Sequence, residues 1–439
     1  MNNRSYKRRL FNSTFRFVIR QYFLSGIKSC IRSPIKLALM LLFSSVFLFT
    51  WVKRDSYIKP GTFFPGLNEL SFVLFSILII AAFIIAAIIL MILFGMPKNA
   101  RKFHDNFQRA GMINSSMEAP ALMSRSFDPS NHKIQRLEFF TKGLPLSLWQ
   151  DNKEKIESAQ NISIDRIERG KNNQTVIVYA VDGKYQLPDM IRWSPEKLSD
   201  KSFVVVLGES IADRVEVDLS KIPHLLIGGS TGSGKTLLIK SILAQCIMKG
   251  AVVYIADFKG GVDFNKSWKS RSYIITEHEE LSKYLNYLVD ELNRRKLLLV
   301  EHDCTNVDEY NLKFNKKLPK IVFAVDEAAE LLDKTGLDKI QKERISRYEA
   351  ALSTLIRLGR AFSIHVVLGT QRPDANVISG QIKNNIDFRA CGRADNVLSQ
   401  IILDKTDAND LIPKNARGRF LTNTDVLFQA YYFDDRKDW

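Results

Sequence analysis

Cysteine and histidine are scarce in this 439-residue chain, and their scarcity removes two classes of chemistry. The four cysteines, Cys30, Cys246, Cys304 and Cys391, form no Cys-x-x-Cys pair. Neither a disulfide framework nor a thiol-based metal or redox centre is encoded, and the four read as reduced, mostly packed thiols. The six histidines show no His-Glu-x-x-His or similar ligand spacing, so no structural metal site is expected. Acidic residues are missing from residues 1–36, which carry nine basic ones: Arg4, Lys7, Arg8, Arg9, Arg16, Arg20, Lys28, Arg32 and Lys36. Charge of either sign is missing from Leu37 to Val52 and from Ser71 to Met96, stretches of 16 and 26 residues.

Those two uncharged stretches set the expected cellular address. The second is long enough to span a bilayer with tilt. The first is short, and spans if Lys36, Lys53 and Arg54 snorkel. A signal-peptide core for the first and a buried core helix for the second are the competing readings. The first starts late and shows no small-residue cleavage site, and the second is long for a core helix. Basic residues precede the first span, and Lys98, Arg101, Lys102 and Arg109 follow the second, whereas the connector 53–70 is nearly neutral. Both ends are therefore expected in the cytoplasm, with a short external loop, in a multi-pass protein of the cell membrane. The densest basic cluster, Lys7-Arg8-Arg9, reads as an orientation signal or as a contact to lipid or DNA.

The formal net charge of +16 points to an acidic partner, nucleic acid or anionic lipid. Only about +6 of it lies in residues 97–439, so the basicity of that part alone does not establish nucleic-acid binding.

Gly229-Ser230-Thr231-Gly232-Ser233-Gly234-Lys235-Thr236 fits G-x-x-x-x-G-K-[ST], the loop that cradles nucleotide phosphates. Its glycines let successive N–H groups point at one anion, and the following helix N-terminus adds partial positive charge. Lys235 is expected to reach the β- and γ-phosphates of ATP, and the Thr236 hydroxyl to ligate Mg²⁺. Flanks agree: His224–Ile227 reads as a buried strand and Leu237–Lys249 as a helix. The apolar run Ile321-Val322-Phe323-Ala324-Val325 reads as a central parallel strand and ends in Asp326-Glu327. Asp326 is placed to hold Mg²⁺ through water, and Glu327 to polarise the attacking water. The pair supports hydrolysis rather than binding alone.

Around these motifs the chain alternates strand and helix. Val252–Ala256 runs into Asp257-Phe258-Lys259-Gly260-Gly261; 279–301 is a long helix holding Glu291, Arg294 and Arg295. Ile364–Leu368 leads to Gly369-Thr370-Gln371-Arg372-Pro373, and strands at Gly418–Leu421 and Val426–Phe433 follow. The fold class is α/β, a RecA-like P-loop NTPase core with a mostly parallel sheet, preceded by a small α+β module and two N-terminal transmembrane helices. Expected domains are a basic segment 1–36, two transmembrane helices within 37–96, a linker 97–135, an α+β module 136–215 and the motor 216–439. In the module, Leu146–Ala159 reads as a helix capped by Ser147. Ile162–Ile167, Thr175–Val181 and Phe203–Leu207 read as strands, and Asp182-Gly183 as the turn of a hairpin continuing through Lys184–Leu187.

Three blocks carry a resemblance. His224–Thr236, Gly359–Pro373 and Asn376–Ile386 resemble, in order and spacing, blocks of the FtsK/SpoIIIE family of DNA translocases. The resemblance covers about 200–433. It implies a motor that assembles as a hexamer and pumps DNA through its pore. Two spans, a short linker and a chain closing at Trp439 soon after the core resemble the layout of short TcpA-type coupling proteins of Gram-positive conjugative elements. Such proteins imply a relaxase and secretion-channel proteins as partners. The alternatives are a chromosome or plasmid segregation translocase, and a protein-secretion ATPase, since Asp257–Gly261 is also similar to type VII secretion ATPases.

The resemblance also proposes roles. Gln371, at a strand end beside the P-loop strand, senses the γ-phosphate and relays its loss, or else caps the turn before Pro373. Arg360 aligns with the family block as the arginine that completes a neighbour's site, with Arg357 second; an intrasubunit ion pair is the other reading. Lys383, Asn384 and Asn385 fall on a pore loop, where a cation and two amides suit phosphate contact without base reading. A solvated helix–loop junction is the bland alternative.

Overall fold

Apolar runs without alternation become the central parallel strands, because both faces of such a sheet are covered. The computed structural model describes residues 3–57, 68–129, 131–371 and 378–439. The chain divides into two units, Met1–Tyr185 and Gln186–Trp439.

In the second unit the strands run in the spatial order Tyr273–Ile275, Val252–Ala256, Ile321–Val325, Ile364–Thr370, His224–Gly228, Phe388–Cys391, Arg419–Thr422, Leu427–Tyr432, Val204–Ser210, Arg214–Asp218. The first six are mutually parallel and the rest join antiparallel. The short strand Ile191–Arg192 adds parallel to Leu427–Tyr432. Side chains alternate faces along each strand. Leu225, Ile227, Val322, Ala324 and Val367 pack with Leu238, Ile242 and Leu243 of the helix Lys235–Met248. Leu226, Phe323, Val325, Val366 and Leu368 pack with Leu285, Leu288 and Leu292 of His278–Glu301 and with Leu352 and Leu355 of Lys339–Leu358. The P-loop strand thus lies mid-sheet between two helical layers, with the strand ending at Thr370 separating it from the strand ending at Val325.

The expected 136–215 module is corrected at its far end. Residues 204–215 belong to the large sheet, where Ser210 pairs with Phe428, because the edge beyond Leu427–Tyr432 needs partners.

The first unit holds two apolar helices, Pro34–Val52 and Asn68–Gly95. They include stretches of 19 and 24 residues long and apolar enough to cross a membrane. Ser33 caps the first and Pro34 opens it. Helix Asn3–Arg32 crosses Asn68–Gly95 where Gly26 and Gly95 meet; a Cβ on Gly95 would lie 1.8 Å from Tyr22 O, so only glycine allows the approach. Arg54 lies over Trp51, 4.1 Å from the ring centroid.

A separate antiparallel sheet follows in the order Ala121–Phe127, Gln135–Phe140, Thr175–Asp182, Ile162–Arg169. It closes over Phe103, Phe107 and Trp149, with Phe107 and Phe139 edge-to-face at 5.3 Å. Residues 97–135 are therefore not a linker. They supply the helix Ala100–Arg109 and an edge strand, buried through Phe103 and Phe107. The expected helix 146–159 breaks at Asn152, whose side chain donates to Leu148 O at 2.9 Å, and Ser147 caps nothing. Asp182-Gly183 is not a hairpin turn: Thr175–Asp182 already has a partner on each side, and the hairpin to Ile162–Arg169 closes earlier, through Asn172.

Candidate functional site

The strand His224–Gly228 delivers the chain into loop 229–234, and the helix Lys235–Met248 carries it away. At Gly234 the backbone is left-handed, φ 99°, and a Cβ would sit 2.9 Å from Gly418 N, so glycine is required twice over. The loop is braced from outside. Arg393 donates from Nη2 to Thr231 O and from Nη1 to Lys414 O, each at 2.7 Å, and Gly418 N donates to Ser233 O at 2.8 Å.

Asp326 is the hub of the site. Lys235 Nζ donates to its carbonyl and, at 2.9 Å, to its Oδ1; Thr236 Oγ1 donates to the same Oδ1 at 2.9 Å. Lys259 Nζ donates to Oδ2 at 3.1 Å. Burial pushes the Asp326 carboxyl up, but Lys235, Lys259 and Thr236 outweigh it and hold the group below the usual carboxylate range. Lys259 is shifted reciprocally: burial lowers it, and Asp326, with Asp263 and Glu330, more than restores it, to above the usual lysine value.

Glu327, also buried, is held by the neighbouring strand end. Its Oε1 accepts from Thr370 Oγ1 at 3.0 Å and Gln371 N at 3.2 Å, and its Oε2 from Gln371 N at 3.0 Å. The Gln371 side-chain oxygen accepts from Thr231 Oγ1 at 2.9 Å. One residue thus touches both the P-loop and the candidate base. Loop 230–237 and Lys259, Asp263, Glu327, Glu330, Gln371 and Arg417 line one cleft of about 830 Å³. A second cavity of about 480 Å³ adjoins it at Gly234, Leu237 and Arg417, walled by Met190, Tyr431 and Tyr432.

The structure brings together Gly229–Thr236, Asp326, Glu327 and Gln371. It does not bring Arg360 to them. Arg360 precedes the seven-residue strand Ile364–Thr370, whose other end reaches the site, so the length of that strand, roughly 20 Å, separates them. Arg357 and Arg360 are both exposed, and neither makes an ion pair among the described residues. Arg372, with the rest of 372–377, lies outside the described residues. Lys383, expected as a free pore-loop cation, instead pairs with Asp404 at 2.5 Å, and Arg389 shares that carboxylate at 2.6 Å. Asn385 donates to Gln381 O at 2.8 Å, and Asn384 follows the short helix Gly380–Lys383.

Four contributors went unassigned in the sequence. Arg393 and Arg417 carry no motif that names them, and Thr370 lies in the Gly359–Pro373 block with no role assigned to it. Lys259 stands at the centre of Asp257-Phe258-Lys259-Gly260-Gly261, and that block was the available signal. The four cysteines are free; burial pushes Cys246 and Cys391 up to about 12, which suits packed, unreactive thiols.

Comparison with known proteins agrees with this geometry. The model of the FtsK/SpoIIIE family matches residues 186–375. The DNA translocase FtsK of Caldanaerobacter subterraneus subsp. tengcongensis is 28% identical over 334 residues, covering 72% of this chain and 44% of that protein. The DNA translocase SftA of Bacillus subtilis is 31% identical over 322 residues, covering 70% of this chain and 32% of that one. The chain thus spans less than half the length of these curated relatives. A solved structure of the pCW3 conjugation coupling protein TcpA, in monomer form with ATPγS, superposes with a TM-score of 0.58 at 38% identity. It covers 78% of this chain and 97% of that one. With a P-loop, an Asp-Glu strand end and a Thr-Gln strand end on one RecA-like sheet, and this likeness across nearly a whole solved coupling protein, the chain belongs to the FtsK/SpoIIIE family of P-loop ATPases.

Proposed function

We propose that this chain is a membrane-anchored, ATP-driven DNA translocase that serves as the coupling protein of a conjugative element. The observation that carries the reading is the TcpA likeness, which extends over 97% of that chain at 38% identity. The two apolar N-terminal helices supply the anchor, with both ends in the cytoplasm. A hexameric ring, a relaxase and channel proteins complete the reading as partners.

The residues divide the work. Loop 229–234 and Lys235 hold the triphosphate, and the adjoining cavity walled by Tyr431 and Tyr432 takes the base. Thr236 Oγ1 and Asp326 Oδ1, 2.9 Å apart, are a hydroxyl and a carboxylate oxygen, the hard donors that suit Mg²⁺ beside phosphates. When bound, that ion supplies charge neutralisation at the transferring phosphoryl group. Glu327 orients and polarises the attacking water, its carboxylate fixed by Thr370 and Gln371. Gln371 reports the state of the P-loop, through Thr231, to the segment that begins at Arg372. Arg360 acts on a neighbouring subunit, since its own site is out of reach. Lys383, Asn384 and Asn385 face DNA phosphates, with Lys383 exchanging Asp404 for phosphate.

The test is ATP turnover by the full-length chain in nanodiscs, with and without DNA. Duplex or single-stranded DNA should raise turnover several-fold. Unchanged turnover with both would sink the translocase reading. Deleting the gene should abolish transfer of the element while chromosome segregation stays normal; the reverse pattern would favour a segregation motor.

A further inference from the structure

We propose that Lys259 is a second phosphate-binding lysine, whose ammonium passes from Asp326 to the γ-phosphate of a bound nucleoside triphosphate. This rests on the ATP-site reading above. Lys259 Nζ lies 3.1 Å from Asp326 Oδ2 and lines the same cleft as Lys235. Asp326 is heavily committed: Lys235 and Thr236 occupy Oδ1 while Lys259 occupies Oδ2. A carboxylate has about four acceptor positions and three are taken here, so departure of one donor frees a second position for metal-bound water. Of the two lysines, Lys259 is the one able to move. Its side chain is 36% exposed against 2% for Lys235.

The backbone presents it for that movement. Lys259 N donates to Asp257 Oδ1 at 3.1 Å, which fixes the root of the side chain. Gly260 and Gly261 follow with φ of 78° and 71°, turning the chain away and leaving the lysine at the strand end. Charge balance requires such a group. Asp263, Glu327 and Glu330 line the cleft with Lys235 and Arg417, so a triphosphate entering there meets carboxylates as well as cations. Asp326 marks the γ end of the site, because Lys235 reaches both it and the outer phosphates. A cation seated on Asp326 is therefore positioned for the third phosphate.

The prediction is selectivity between triphosphate and diphosphate. Fluorescence titration of the full chain with ATPγS and with ADP, both with Mg²⁺, compares wild type with Lys259→Met. Losing a charge-assisted contact should weaken ATPγS binding roughly tenfold or more. ADP binding should stay within about twofold, since the diphosphate lacks the contact. Lys259→Arg should recover most of the ATPγS affinity, and Lys259→Gln, which can still donate to Asp326, should show the same loss if the Met variant does not fold. Equal weakening for both nucleotides, or none, overturns the assignment. Lys235→Ala, run alongside, separates the causes. If it abolishes binding of both nucleotides while Lys259→Met binds both like wild type, only the role of Lys259 falls. If it too leaves both unchanged, the nucleotide-site reading falls.

Discussion

Lys235 and Glu327 separate binding from turnover at the scale of single residues. Lys235 is buried, and its ammonium is a principal counter-charge for phosphates in the loop, so Lys235→Ala should lose productive ATP binding. Glu327→Gln keeps the shape and, with its carbonyl oxygen in the Oε1 position, the bonds from Thr370 Oγ1 and Gln371 N, but it cannot take a proton. That variant should bind ATP like wild type and turn over at least about a hundredfold more slowly. Paired binding and single-turnover assays check both, and near-normal turnover would remove Glu327 from the catalytic set. The P-loop was legible because its chemistry is contiguous: strand, glycines, lysine and helix lie within one stretch, His224–Met248. Lys259 was not, because its meaning depends on Asp326, 67 residues away, and only the parallel pairing of the two strands joins them. Thr370 was invisible for the same reason: a threonine at a strand end acquires a role only when Glu327 arrives beside it.

Strands and helices of the motor were legible because burial on both faces leaves an unbroken apolar run. Val252–Ala256 and Ile321–Val325 match their expected limits. The small sheet of the first unit was harder. Its helix Ala100–Arg109 is polar on average and buries only Ala100, Phe103 and Phe107, so composition reads as linker where spacing gives an amphipathic face. The parallel strands carry a consequence for pH. His224 and His365 stand on adjacent strands, both buried; His224 Nδ1 accepts from Val366 N at 3.0 Å, and His365 Nδ1 contacts Pro223 O at 3.3 Å. Burial pushes His224 down to about 4 and His365 down to about 3, from 6.5. The folded pKa lies below the unfolded one, so the unfolded chain takes up protons first as pH falls. The stabilisation is complete above pH 6.5 and is lost progressively toward pH 4 for His224 and pH 3 for His365. Between pH 7 and 5 each histidine should cost about 2 kcal/mol. Urea unfolding of wild type and His365→Asn at both pH values checks this: the variant should lose less on acidification, and an equal loss in both would exclude the pair as the cause.

On the scale of the whole molecule, the proposed ring assigns Arg360 to the site of a neighbouring subunit. Among the described residues, the charges beside the P-loop come from the strand ends at Gly228, Ala256, Val325 and Cys391 or from the loop ending at Gly418, and none from the opposite end of the sheet, where Arg360 and Arg357 are exposed. Hydrolysis in such motors commonly needs one further cation to stabilise charge on the transferring phosphoryl group. In the proposed ring, the face of one subunit that carries Arg360 would meet the cleft of the next. Arg360→Ala should therefore bind ATP normally and hydrolyse it slowly, by roughly a hundredfold or more. Lys235→Ala should fail at binding. Each variant spoils a different half of the interface site. A ring containing both has some interfaces that pair an intact Lys235 cleft with an intact Arg360 from the neighbour. Mixing the two purified variants under assembling conditions should then restore part of the wild-type turnover, with a maximum near equal proportions. An arginine acting inside its own subunit gives no such recovery, since every subunit in the mixture carries one lesion. Mixed rings verified by mass spectrometry that stay inactive at every ratio would assign Arg360 to its own chain and move the search for the trans cation to Arg357.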